Sequence, residues 1–206
     1  MTVPDGRIVP GVYTYKITMK GNYSGEAYAM FTILDPSTAK VKATLSKSKY
    51  VYNGKTKKPA LTVKIGKLTL KAGRDYSVKK TTGKNIGNYS YNITFLGNYA
   101  GATKTVKYTI APKGTSISQI RSGNKKVNIK INKQTKHTTG YQIRYASKKK
   151  MADAKIITIK SGKKTSKSIK NLKANKKYYF QVRTYKNVKG NIIGSKWSKV
   201  KAVKTR

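Results

Sequence analysis

GVYTYKITMKGNYSG (residues 11–25) returns as GNYSYNITFLGNYAG (residues 87–101), with Gly21 recurring as Gly97, 76 positions on. Tyr13, Tyr15, Ile17, Asn22, Tyr23 and Gly25 fall on Tyr89, Tyr91, Ile93, Asn98, Tyr99 and Gly101. One extra residue in the second copy then brings Phe31-Thr-Ile33 onto Tyr108-Thr-Ile110. In both copies bulky residues occupy every second position before a Gly-Asn-Tyr-x-Gly corner. Period two is the signature of a strand with one face buried. A strand pattern that repeats at domain-like spacing predicts stacked β modules, the organisation of long display and adhesion proteins. The second copy has a full module of sequence ahead of it and the first has almost none. The chain is therefore expected to open inside a module.

The rest of the sequence keeps the same period. Val127-Asn-Ile129-Lys-Ile131, Tyr141-Gln-Ile143-Arg-Tyr145 and Phe180-Gln-Val182 alternate apolar and polar residues, as half-buried antiparallel strands do. No window carries helical periodicity with caps. Turns are expected at Asn53-Gly54, Ala72-Gly73, Gly83-Lys84, Ser122-Gly123-Asn124, Ser161-Gly162 and Lys189-Gly190-Asn191. Asp35-Pro36-Ser37-Thr38 and Ala111-Pro112-Lys113-Gly114 each follow the closing Thr-Ile of a repeat and read as short linkers. The expected organisation is a partial β module over 1–35, a complete one over 36–112 and a third over 113–206. The fold class is all-β, a tandem of β-sandwiches.

The charge is extreme and uneven: 47 Lys+Arg against 5 Asp+Glu, a formal net of +42 in 206 residues. Residues 1–39 balance Arg7, Lys16 and Lys20 against Asp5, Glu26 and Asp35. Nearly all the excess lies beyond residue 40, where Asp75 and Asp153 are the remaining acids. The two repeat copies thus share a pattern and not a charge, so the fold does not require the lysines. Six of the 47 basic residues are arginine and 41 are lysine. Lysine is a point charge without the planar fork of arginine, which favours diffuse association over reading a defined pattern. Cysteine is absent, so there is no disulfide and no thiolate site. No apolar run reaches the length of a membrane-spanning helix, and Met1-Thr-Val-Pro4 is no signal peptide.

Residues 40–112, through KYVYNGKTKKP, KAGRDY, NIGNYSYNITFLGNYAG and YTIAPK, resemble the bacterial MBG/YDG-type repeats. Tyr52-Asn53-Gly54 stands where those repeats more often carry Tyr-Asp-Gly. That resemblance implies tandem all-β modules of large secreted proteins, and in some relatives adhesion. Residues 115–206 resemble a fibronectin type III domain, an immunoglobulin-like sandwich, with strands expected near Ser116, Val127, Tyr141, Ile157, Ile169, Phe180 and Val200. Leu172-Lys-Ala-Asn175-Lys-Lys-Tyr178 is similar to that family's Leu-x-Pro-x-Thr-x-Tyr corner, which implies that the Tyr178 hydroxyl bonds back to backbone. Ser195-Lys-Trp197-Ser198 is similar to the Trp-Ser that often opens the last strand. The corner proline is Ala174 here, and the usual tryptophan of the second strand is Ile131.

Residues that could carry chemistry are sparse. The single histidine, His137, sits in the polar run Gln134–Gly140 and reads as a solvated loop residue without a His, Cys or acidic partner nearby. Glycoside hydrolysis needs two converging carboxylates. Asp75 instead reads as a turn cap, and the acids are too scattered for calcium. A Lys–Asn isopeptide cross-link would need a buried acid, with Asp75 and Asp153 as the candidates. The 16 tyrosines are expected to pack in cores and corners, Tyr23 and Tyr99 pinning their loops, although they could offer a sugar-stacking platform. Asn22, Asn88 and Asn92 open Asn-x-Ser/Thr triplets, of little weight in a bacterial protein.

No catalytic, cofactor-binding or metal residue is assigned. The expected function is that of a non-catalytic structural or display module of a bacterial surface protein, extracellular, secreted or wall-associated, and monomeric. An added role is a tether to anionic polysaccharide, teichoic acid or mucin glycans through lysine charge. The alternative is a specific carbohydrate- or mucin-binding adhesin. No sequence-specific nucleic-acid motif is present.

Overall fold

The computed structural model describes Val9 and residues 11–33, 41–134 and 136–206, the side chain of Asn98 excepted. The expected linker at Asp35-Pro36-Ser37-Thr38 lies outside the described residues. In chain order the strands begin with β1 (Gly11–Thr18), β2 (Glu26–Ile33), β3 (Val41–Leu45), β4 (Lys49–Val51), β5 (Leu61–Ile65), β6 (Leu68–Thr69), β7 (Tyr76–Lys80), β8 (Gly87–Phe95) and β9 (Thr103–Ala111). They continue with β10 (Ile117–Gly123), β11 (Lys126–Ile131), β12 (Gly140–Ala146), β13 (Lys155–Ile159), β14 (Ser166–Ile169), β15 (Lys177–Val188), β16 (Asn191–Gly194) and β17 (Lys201–Lys204). The architecture is all-β, as tandem β-sandwich modules require. The described residues form two compact units, one within 1–48, 58–82 and 89–108 and the other within 49–57, 83–88 and 109–206.

In the first unit the sequence repeat is a repeat of geometry. Gly21 and Gly97 have φ of 74° and 54°, and Gly25 and Gly101 of 111° and 103°. Both corners therefore demand the left-handed backbone that glycine adopts without a steric cost. Tyr13 and Tyr15 stack on Phe31, with ring centroids 5.3 and 5.1 Å apart. Their counterparts Tyr89 and Tyr91 gather on Tyr108 at 5.2 and 6.0 Å. Two sheets supply the core of this unit. Val41 of β3 and Val63 of β5 pack with Tyr76 of β7 and Ile93 and Phe95 of β8.

Tyr99 packs against that core from a turn of 3-10 helix over Gly97–Tyr99, as expected of a residue that pins its loop. Tyr23 does not: it is 76% exposed. The reason is local. Among the described residues β1 and β2 pair with each other alone, from Gly11↔Ile33 to Thr18↔Glu26, and no core cluster there includes a residue of their corner.

In the second unit β4 pairs with the end of β9, Lys49↔Thr109 to Val51↔Ala111, and the pairing is parallel. The period-two pattern predicted antiparallel strands, but pairing direction depends on connectivity, which alternation does not encode. A parallel pair needs a long crossover, and here strands β5 to β8 supply it. Asn53-Gly54 is also not the tight hairpin turn its sequence resembles. Positive φ is confined to Gly54 (75°), while Asn53 Oδ1 accepts the Lys55 N–H at 3.2 Å, an Asx turn.

The remainder of this unit is a sandwich of two sheets, β10-β11-β14 against β13-β12-β15-β16, with β17 also on β15. Val127, Ile129 and Ile131 of β11 point into the core while Lys126, Asn128 and Lys130 stay exposed, as the alternation predicts. Ile131 fills its expected core slot. Tyr141, Ile143, Phe180 and Val182 face it from the other sheet and are fully buried. Seven strands were expected where eight stand, because the last is split into β16 and β17. Between them, Ser195 and Ser198 put hydroxyls where a strand would put carbonyls. The Thr184 N–H donates to Ser195 Oγ at 3.2 Å and the Val182 N–H to Ser198 Oγ at 3.0 Å. The ladder is interrupted, yet β15 keeps its donors satisfied.

Candidate functional site

His137 is exposed, with φ of 57°, and its ring lies 4.3 Å from that of Tyr52. Among the described residues no three His, Cys, Asp or Glu side chains come together to hold a metal. Nor is any described helix long and apolar enough to cross a membrane.

The acids lie where structure uses them. Asp75 is buried and accepts the Lys71 N–H at 2.7 Å, the expected turn cap. Its two oxygens also accept Arg74 Nε at 2.7 Å and Nη2 at 2.9 Å. That hydrogen-bonded guanidinium, helped by the Lys71 N–H and opposed by burial, holds the Asp75 carboxyl below the ordinary carboxylate value. Asp153 is exposed and takes the Ser147 hydroxyl at 3.3 Å. Asp75 is thus held by Arg74 and the Lys71 N–H, and Asp153 is not the buried acid that a Lys–Asn cross-link needs.

The lowered pKa has a consequence for stability. A carboxyl with a folded pKa below its unfolded value of about 3.9 stabilises the fold above that pH. The contribution fades as pH falls through the folded value. The first unit is therefore expected to lose stability below about pH 4, and Asp75→Asn to flatten that acid limb. Thermal melts from neutral to strongly acid pH check this; parallel curves for both proteins would contradict it.

Tyr178 is buried, and its hydroxyl accepts the Lys173 N–H at 3.1 Å, closing the corner. Thr205 locks the same corner, its hydroxyl donating to the Lys173 carbonyl at 2.6 Å and accepting the Lys176 N–H at 3.1 Å. Tyr76, Tyr91, Tyr108, Tyr141, Tyr178 and Tyr185 are all buried. Exposed tyrosine is concentrated in the first hairpin, at Tyr23 and Tyr28 (76% and 64%).

One cluster escaped the sequence reading. Arg144 and Arg183 both sit over the indole of Trp197, their Cζ atoms 4.6 and 4.4 Å from its centroid. Arg183 Nε donates to Gln142 Oε1 and Arg144 Nε to Gln181 Oε1, each at 2.8 Å. Gln142 Nε2 reaches Thr158 Oγ1 and Gln181 Nε2 the Ser198 carbonyl, so both amides are fixed at both ends. All three stacked side chains are half-buried. Desolvation first, and the Arg144 charge second, pull Arg183 below the ordinary guanidinium value. The signal lay in two matching tripeptides, Gln142-Ile-Arg144 and Gln181-Val-Arg183. On antiparallel strands the register puts Gln142 opposite Arg183 and Arg144 opposite Gln181.

Residues 110–200 match the family described as "Fibronectin type III domain". No curated protein matches the chain. Among solved structures, the fn3 domain of human contactin 1 aligns at 18% identity and a TM-score of 0.40, over 47% of this chain and 80% of that one. Chicken CNTN1 FN1-FN3 domains align at 16% and 0.42, over 95% of this chain and 77% of that one. A β-1,2-glucanase from Parabacteroides distasonis aligns at 13% and 0.38, over 57% of this chain and 18% of that one. Fibronectin type III domains are in general non-catalytic structural and adhesion modules. The match over residues 110–200 falls on the sandwich that begins at β10 and carries the tyrosine corner at Tyr178, and it supports a fibronectin type III domain there.

Proposed function

We propose that the chain is a non-catalytic structural and display segment of a bacterial secreted or cell-surface protein, and that its lysines tether it to anionic polymers. The reading takes in the three-part organisation 1–35, 36–112 and 113–206, with the middle module of the MBG/YDG kind, and an extracellular site of action.

The observation that carries the tether is the placement of charge. Lysines occupy the wet positions of strand after strand: Lys42 and Lys64, Lys107, Lys126 and Lys130, Lys167, Lys201 and Lys204 are all exposed. Two of the five acids are paired, Glu26 with Lys16 and Asp75 with Arg74, and five acids cannot neutralise 47 basic residues. A surface made only for solubility mixes both signs. One that carries +42 with almost no internal neutralisation holds a counter-ion atmosphere, which a polyanion displaces with a gain in entropy.

The test is the slope of log affinity against log salt for teichoic acid, heparin and DNA. Contact with six to ten phosphates costs about a thousandfold or more in affinity between roughly 50 and 200 mM salt. Slopes of that steepness for all three polymers, ranked by charge density, are expected. The competing reading is a carbohydrate-binding adhesin, favoured by the exposed rings of Tyr23 and Tyr28. A shallow slope for one glycan, with binding that survives high salt, would replace the tether with that reading.

A further inference from the structure

We infer that Arg144, Trp197 and Arg183 form a preorganised site for one tetrahedral oxyanion, the sulfate or phosphate ester of an anionic polymer. The inference deepens the tether reading by giving it one structured contact within a diffuse surface.

Three observations carry it. First, the two guanidiniums are fixed in place. Each spends its Nε on a glutamine and a face on the indole, which leaves the Nη edges without a hydrogen-bond partner among the described residues. Planar N–H donors held in this way suit the paired oxygens of sulfate or phosphate.

Second, two positive groups share one half-buried indole while neither meets a carboxylate among the described residues. Partial burial first, and the neighbouring Arg144 charge second, lower the affinity of Arg183 for its proton, so the pair carries an electrostatic cost beside its shared indole. A stack built for rigidity alone needs one arginine; the second adds repulsion that an anion relieves.

Third, the backbone is shaped to admit Arg183. A Cβ on Gly194 would lie 2.6 Å from Cζ, 2.7 Å from Nη1 and 2.8 Å from Nε of Arg183. Gly194 has no positive φ, so what its bare Cα supplies is space for the guanidinium.

The site contains the chain's one tryptophan, so Trp197 fluorescence, excited selectively over tyrosine, reports on it in the unmodified protein. Inorganic sulfate and inorganic phosphate are titrated at constant ionic strength, with sodium chloride as the matched control. A saturable change with sulfate or phosphate and none with chloride is expected. The tighter of the two oxyanions distinguishes sulfate-ester from phosphodiester polymers.

R144K/R183K keeps the net charge and loses the forks, and it should weaken the oxyanion response at least tenfold. G194A should weaken it too, by displacing Arg183. Sulfate should also raise the melting temperature of the wild type more than that of R144K/R183K, as a ligand of the folded state does beyond the general salt effect. A fluorescence response that follows ionic strength alone, or one unchanged in R144K/R183K, overturns the site. Binding of long polyanions at low salt is read separately. If it persists in R144K/R183K, the diffuse tether stands whatever becomes of the site. If it is missing in the wild type, the tether fails while the small-anion titration still decides the site.

Discussion

Gly140→Ala should destabilise the C-terminal domain by about 3 kcal/mol or more, at or beyond the upper end of what overpacking usually costs. Gly140 opens β12 opposite Tyr185 of β15. An added Cβ would fall 2.0 Å from the Ile159 carbonyl oxygen, 3.0 Å from the Ser161 nitrogen and 3.0 Å from the Tyr185 ring. Two of those three atoms are backbone and cannot rotate aside, so β12 would have to part from the end of β13. Gly123→Ala is the control. Its Cβ would approach Lys126 Cε at 2.9 Å and Cγ at 3.0 Å, but both belong to an exposed, flexible side chain that can rotate aside. It should cost less than about 1 kcal/mol, as surface changes do. Urea unfolding followed by Trp197 fluorescence measures both, and equal costs would defeat the account.

Tyr141→Phe should cost about 2–4 kcal/mol, more than the roughly 1–2 kcal/mol expected for Tyr178→Phe. The difference lies in how many partners each hydroxyl serves. The Tyr141 hydroxyl accepts the Gln134 N–H at 2.8 Å and donates toward the Gly162 carbonyl at 2.9 Å, with the Gln134 carbonyl at 3.2 Å. It ties two loops to a fully buried ring. The Tyr178 hydroxyl holds one N–H, and Thr205 supports the same corner independently. Removing a hydroxyl inside the fold strands its partners away from water, and that penalty rather than the net bond strength sets the scale. The same unfolding measurement applies, and a Tyr178→Phe cost at or above that of Tyr141→Phe would reverse the ranking.

The strands were legible because alternation of side chains is a local property. Val127 to Ile131 could be assigned to inner and outer faces from five letters, and the structure keeps every one. The repeat was legible for the same reason, and the structure adds that the glycines of both corners have positive φ. What escaped depends on partners distant in sequence. The parallel pairing of β4 with β9 rests on residues about 60 apart, and nothing within Lys49–Val51 states a direction. Tyr23 carries the same local pattern as Tyr99, yet one is exposed and the other packed, because a corner residue is pinned only if a core lies beneath it. The Arg144–Trp197–Arg183 stack was half legible. The twin Gln-x-Arg tripeptides were in view, but the antiparallel register that sets each arginine across from the other's glutamine is a tertiary fact. The split of the last strand was hidden in Ser195 and Ser198, whose hydroxyls substitute for carbonyls only when β15 lies alongside.

The parallel pair of β4 and β9 has a mechanical consequence. Tension along the chain enters β4 at Lys49 and leaves β9 at Ala111, and the two strands run in the same direction. The pull therefore drives them past each other lengthwise. Their cross-strand bonds, continued by the Tyr52 N–H on the Ala111 carbonyl at 2.8 Å, are loaded together in shear instead of opening one at a time as a zipper. A hairpin such as β1–β2, pulled from its open end, peels from Gly11↔Ile33 inward under much less force. A pull on Lys49 and Ala111 is thus expected to meet more resistance than a pull on Gly11 and Ile33.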